Sequence, residues 1–443
     1  MSKLFTMEQS WLECIGCGHK TDLEKERVFN CPECGNIFDV KHNFEHRHFS
    51  KWIELFNSRV GKTNNPSPLY NSGVWRFKEW IMPHLPEEFI ISRHEGNAPI
   101  LPAGPRLKKW VGGDLDLWII FEGINPSGSF KDQGMTVLVS IAKAVGSKFI
   151  VCSSTGDTSA AAALYAAIAQ IPCIVFLPGD KNSRVTEVQI YQPRLHGAKT
   201  IILPGVFDDG MKTVEELVKK SGYLANSKNP TRIEGHQSTI FLIAQHFDWR
   251  LSGIIIAAPI GNGSNLSSLG KGLSTMASHG FNINRTRLLG CQVKGANPLT
   301  SSWEKFDHSS INEWESNYEP IPANKLAVTA STVARIGNPV SRKKVMRSVL
   351  DTMGFMATVS EEYQNTAVKI AGLDGDNVCP QTGMALAGVK KSVERGNIKR
   401  GERVVVVSTA TGLKFPNAVF TGEPSPIIEA HDCKLSTITK ILT

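Results

Sequence analysis

Four times beyond residue 116, a short apolar run stops at a polar loop and gives way to residues at helical spacing. No other feature restricts the fold as much. Leu117-Trp-Ile-Ile-Phe121 leads into Asn125-Pro-Ser-Gly-Ser-Phe-Lys131-Asp132 and then Met135, Leu138, Ile141 and Val145 at three-to-four spacing. Phe149-Ile-Val-Cys152 leads into Ser153-Ser-Thr-Gly-Asp157, an Ala-rich helix and Cys173-Ile-Val-Phe-Leu177. Ile254-Ile-Ile256 precedes Gly261-Asn-Gly-Ser-Asn265, and Val404-Val-Val-Val407 precedes Ser408-Thr-Ala-Thr-Gly412. Continuous apolar strands alternating with helices imply parallel sheets covered on both faces, an α/β fold. Each polar loop then lies at a strand's carboxyl end, where ligands bind in such folds.

A chain of 443 residues exceeds one ordinary core and suits two or three domains. With 41% apolar and 20% charged residues it reads as a globular enzyme rather than a disordered or fibrous protein. The net charge of +8 is spread along the chain without a dense basic run, which argues against a nucleic-acid or membrane partner. The first residues lack a sustained apolar stretch, so a cytoplasmic location is expected. The uncharged run 160–179 is broken by Gln170 and Pro172 and suits a buried helix followed by a strand. Residues 46 to about 115 mix Trp, Pro and Gly without a clear period, and Ser301 to Glu319 reads as a polar surface excursion.

Ser129 and Asp132 match the Ser-x-x-Asp capping pattern, which puts Lys131 in the first turn of a helix. There the helix dipole disfavours an ammonium and leaves a free amine able to form a Schiff base. A solvated lysine beside a capping acid fits the same residues. Gly261-Asn-Gly-Ser-Asn265 can aim backbone N–H groups at an anion from a helix start, although an ordinary turn has the same composition. Leu266 stands where a dinucleotide fingerprint needs its third glycine, so that reading fails at its own spacing.

Asn125-Pro-Ser-Gly-Ser-Phe-Lys-Asp-Gln-Gly134 resembles the cofactor-lysine motif of the threonine synthases, within the second fold type of pyridoxal-phosphate enzymes. The resemblance continues in family order through Ser72-Gly-Val-Trp-Arg-Phe, Glu95-Gly-Asn, Ala296-Asn-Pro, Ile336-Gly-Asn-Pro and Cys379-Pro-Gln-Thr-Gly383. It implies two parallel-sheet domains of the tryptophan synthase beta-like type, with pyridoxal 5'-phosphate on Lys131. Gly261, Asn262, Gly263, Ser264 and Asn265 would then cradle the cofactor phosphate. Asp157 would face its phenolic oxygen, where many members have Asn, and Thr409 would meet its ring nitrogen. The resemblance also implies that Ser154 and Thr155 face the substrate and that Asn226, Ser227 and Arg232 hold its phosphate. A lone Arg232 otherwise suits a surface ion pair. Departures are Gln133, where Arg or Leu is usual, and Thr411, where His is usual.

Cys14-Ile-Gly-Cys17 and Cys31-Pro-Glu-Cys34 have the spacing that closes four thiolates around a structural zinc; a redox pair or an empty ribbon are the alternatives. The remaining five of nine cysteines are isolated, which argues for a reducing compartment. The expected organisation is a zinc-ribbon-like segment 1–45, a large cofactor-binding domain 46–128 with 223–443, and a smaller α/β domain 129–222. The resemblance implies a homodimer that eliminates phosphate from O-phospho-L-homoserine and adds water to give L-threonine. Rivals are a cysteate synthase using O-phosphoserine and sulfite, a dehydratase, and a zinc-ribbon binding protein whose enzyme domain is inactive.

Overall fold

The computed structural model describes residues 4–24, 29–62, 64–112, 114–154, 156–178, 187–203, 207–306 and 310–416. Thirteen strands among them form three sheets. The antiparallel amino-terminal sheet has β1 (Ser10–Cys14) between β2 (Lys20–Asp22) and β3 (Phe38–His42). The chain begins its largest sheet with β4 (Ile100–Pro102) and β5 (Asp116–Phe121), then leaves it. It next builds a parallel four-stranded sheet from β6 (Phe149–Ser153), β7 (Cys173–Pro178), β8 (Lys199–Leu203) and β9 (Gly222–Leu224), in the order β8-β7-β6-β9. On its return it adds β10 (Ile255–Pro259), β11 (Arg287–Val293), β12 (Phe355–Val359) and β13 (Arg403–Ser408). The large sheet has the order β12-β11-β10-β13-β5-β4 and is parallel except at β4.

The expected α/β class with two parallel sheets is what the chain adopts. The apolar runs mark central strands: Val404 to Val407 of β13 are buried, and β13 pairs with β10 on one side and β5 on the other. Helices Ser264–Ser278 and Pro380–Glu394 both pack on β10 and β11, and strands covered by crossover helices must be apolar along their length. The stretch without a period, 46–115, contributes an aromatic cluster instead. Trp52 stacks on Phe56, and Phe56, Phe77 and Trp80 pack on Trp249, with ring centroids 4.8 to 6.3 Å apart among the contacts Phe56–Trp80, Phe77–Trp249 and Trp80–Phe281. The polar segment near residue 310 is not a bare excursion. It holds the helices Pro298–Lys305 and Ile311–Ser316, the latter capped by Ser310 and anchored by buried Trp314.

The amino-terminal sheet is fastened to the body by buried charge. Asp39 on β3 lies 3.1 Å from both Lys271 and Lys344, and these ammonium groups hold its carboxyl well below the usual range. Lys271 also pairs with Glu234, whose other oxygen is 3.4 Å from His42 Nε2.

Candidate active site

Five loops, following β5, β6, β9, β10 and β13, meet at one cavity of about 1350 Å³, and residues between 320 and 340 line it as well. Strands β10 and β13 are neighbours at which the chain order of the sheet reverses, the position where doubly wound sheets open a crevice. Lys131, Ser154, Asp157, Asn226, Ser227, residues Gly261 to Asn265 and Thr409 all line this cavity. Thr155 lies outside the described residues.

Lys131 opens the helix Lys131–Ala144, as expected, but the capping differs. Phe130 is the cap residue and no side chain caps the helix; the Ser129 hydroxyl has no partner among the described residues. Asp132 instead accepts a hydrogen bond from the Ser127 N–H at 2.7 Å, because the bend at Gly128 turns the chain back toward the carboxylate. Burial pushes the Lys131 amine well below its ordinary range; Arg232 adds to this, Asp157 opposes it, and Lys414 adds again. Lys131 Nζ sits 3.6 Å from the centroid of the Phe130 ring.

The glycine loop is shaped by contact as well as by conformation. Gly263 has φ +87°, and a Cβ there would come within 2.6 Å of Val345 Cγ2. The helix Ser264–Ser278 begins at once, presenting its positive end to the cavity. Asn262 accepts from the Ser341 N–H at 3.0 Å, which fixes the loop's outer wall. Neither polar atom of the buried Asn265 amide has a partner among the described residues.

Thr409 joins the other walls: its carbonyl accepts from the Phe130 N–H at 2.9 Å, and its hydroxyl lies 3.5 Å from the Cys379 sulfur. Asn226 lines the cavity, yet both ends of its amide bind the Ser153 backbone, at 3.0 and 2.7 Å, pinning β9 to β6. Arg232 is fully buried and stands outside the cavity lining. Its Nη1 donates to the Ala225 carbonyl at 2.9 Å, while Nε and Nη2 have no partner among the described residues. The Ser154 hydroxyl accepts from the Gly156 N–H at 3.3 Å and can still donate into the cavity, which Ser227 also lines.

Two residues with consequences for the site were not singled out from the sequence. Lys414 is 3% exposed and 2.8 Å from an Asp157 oxygen. Glu122 is fully buried, receives hydrogen bonds from Asn125, Gln133 and Thr239, and is pushed up to about 7 by burial. The signal for Lys414 was a lysine between Leu413 and Phe415 in an otherwise small-residue motif; Glu122 carried none. Gln133, the departure from the usual Arg or Leu, is explained by Glu122: its amide fills that carboxyl's coordination.

The four paired cysteines form a separate cluster, their sulfurs all within 4.8 Å of one another. Cys14 and Cys34 sulfurs are 3.4 Å apart and Cys17 and Cys31 sulfurs 3.6 Å, too far for disulfides.

The pattern of the family described as pyridoxal-phosphate dependent enzyme matches residues 91–410, most of the chain. The chain belongs to that family. Its similarity to named members extends further: it is 33% identical over 431 residues to threonine synthase of Methanocaldococcus jannaschii, covering 97% of this chain and 98% of that one. It is 36% identical over 392 residues to threonine synthase 2, chloroplastic, of Arabidopsis thaliana, covering 86% and 72%. Among solved structures, the cysteine synthase of Entamoeba histolytica superposes with TM-score 0.59 at 15% identity, covering 75% of this chain and 90% of that one, which speaks to the fold alone. For this family member the cavity suits its cofactor. A lowered amine at Lys131, a helix start behind Gly263 and the unsatisfied Asn265 amide match an aldehyde and a phosphate held together.

Proposed function

We propose that this chain is a threonine synthase: a lyase that takes O-phospho-L-homoserine and water to L-threonine and inorganic phosphate. The observation that carries the reading is one cavity holding the depressed amine of Lys131 opposite the Gly261 to Asn265 helix start. Identity to threonine synthases across nearly the full length supports the substrate class, a small phosphorylated amino acid. When bound, pyridoxal phosphate supplies an electron sink for charge developing at the substrate's α carbon. Lys131 Nζ, whose ammonium form burial disfavours, is the base that takes the α proton and later moves a proton at the β carbon. Ser154 and Ser227 offer hydroxyls to the substrate from the cavity wall, with Thr155 beside them by sequence. Asn226 contributes by holding that wall in place, and Arg232 contributes its buried charge to the phosphate's electrostatics. Thr409 presents a hydroxyl rather than a carboxylate to the ring nitrogen.

The further assignments are a structural zinc on Cys14, Cys17, Cys31 and Cys34, a cytoplasmic location, a homodimeric assembly and the domain division 1–45, 129–222, and 46–128 with 223–443. Sulfur separations of 3.4 and 3.6 Å approach the edge of about 3.8 Å expected of a tetrahedron with zinc–sulfur bonds of about 2.3 Å. Among the described residues no helix is long and apolar enough to cross a membrane, and the eight described cysteines are free thiols.

The test is to give purified protein phosphohomoserine, phosphoserine with sulfite, or threonine, in separate reactions, and to identify the organic product. Threonine and phosphate from the first alone are the expected result. Cysteate from the second, with no threonine from the first, would overturn the substrate assignment.

A further inference from the structure

Among the described residues the cavity lining holds two carboxylates, Asp157 and Glu215, and Glu215 is paired with Lys228. A buried carboxylate beside a cofactor oxygen would repel any negative charge there. The chain supplies an answer to that problem from a different sheet. Lys414, just past β13, is 3% exposed, and its ammonium touches an Asp157 oxygen at 2.8 Å and the Ser127 carbonyl at 2.8 Å. Ser127 is in turn the residue whose N–H is held by Asp132, next to Lys131. The ion pair therefore spans the start of the helix Asp157–Ala169, the loop that carries Lys131 and the closing segment after β13. We propose that Lys414 is a positioning residue for the reaction: it cancels the charge of Asp157 and fixes that carboxylate against the site of the cofactor's phenolic oxygen. The proposal rests on the reading that Lys131 carries pyridoxal phosphate.

Both members of the pair are felt at the Lys131 amine, with opposite signs, as expected of a neutral pair beside a reacting group. The charged and titratable groups around them are Lys131 and Asp132 on one helix, Arg232 and His236 on another, and Cys379 at the start of a third. None of these can replace Lys414, because Arg232 and His236 lie behind the wall and burial disfavours charge on His236.

The test is the pH dependence of the bound cofactor's visible absorption in holoenzyme, measured for wild type, Lys414→Met, Lys414→Arg and the double variant Lys414→Met with Asp157→Asn. Loss of the ammonium leaves one more negative charge beside the cofactor and favours its protonated form. The midpoint is expected to move upward by about one pH unit or more in Lys414→Met. It should stay near wild type in Lys414→Arg and return toward wild type in the double variant, where both charges are gone. An unchanged midpoint in Lys414→Met that still holds cofactor would overturn the proposal. If Lys414→Met does not fold, the double variant decides: recovered folding and cofactor binding support a charge pair, and no recovery contradicts it. A wild type that takes up no cofactor would instead sink the underlying reading of Lys131.

Discussion

Lys131 and Glu122 illustrate how burial sets chemistry at single positions. For the lysine it depresses the amine, which favours the free base over the ammonium. Lys131→Ala is expected to abolish the cofactor's visible band and lower threonine formation by at least about 10³-fold, measured by spectrum and product assay. For Glu122 burial raises the carboxyl from 4.5 to about 7. Between those values the folded chain holds a proton that the unfolded chain has lost, so folding stability falls as pH rises through the window. The slope from this one group is about 1.4 kcal/mol per pH unit. Urea unfolding at pH 5.5 and 7 should therefore show a shallower pH dependence for Glu122→Gln than for wild type; equal slopes would contradict the buried-acid assignment. The sequence announced Lys131 through its motif and its place at a helix start after an apolar run, because both are local. It could not announce Glu122, whose partners Gln133 and Thr239 meet it only after two helices pack.

Among the elements, the strand-loop-helix units were readable because a parallel strand covered on both faces must be apolar along its length. The loops at their ends were readable for the same reason, as the only polar punctuation. Cap chemistry was not: the Ser129 pattern gave way to the Gly128 bend, which a spacing rule does not see. Nor was the work of Asn226, whose amide serves strand pairing within the β6–β9 edge. Gly263 tests the proposed phosphate-binding role of its loop at this scale. Gly263→Ala would meet Val345 at 2.6 Å in a left-handed backbone, and it is expected to weaken cofactor retention at least about 10-fold while the sheets stay folded, as followed by cofactor fluorescence and circular dichroism. The seat of the amino-terminal sheet is tested by Asp39→Ala. Removing that carboxylate strands Lys271 and Lys344 with reduced compensation and should cost about 3 to 5 kcal/mol, measured by chemical unfolding.

At the scale of the whole molecule, two sheets contribute loops to one cavity, and the contacts that join those loops are Thr409 to Phe130, Lys414 to Asp157 and Asn262 to Ser341. Apolar periodicity located the strands, but it carries no information on which sheet each strand joins, so these joints were invisible in the sequence except through family resemblance. The four paired cysteines were visible at once, whereas the seat of the amino-terminal sheet on Asp39, Lys271 and Glu234 depends on residues over 190 positions apart, 39 and 234. The most direct measurement is chemical trapping: reduce the cofactor-loaded protein with borohydride, digest it and locate the phosphopyridoxyl mass. The adduct is expected on the peptide containing Lys131. An adduct on another lysine, or none at all, would contradict the assignment on which the reaction depends.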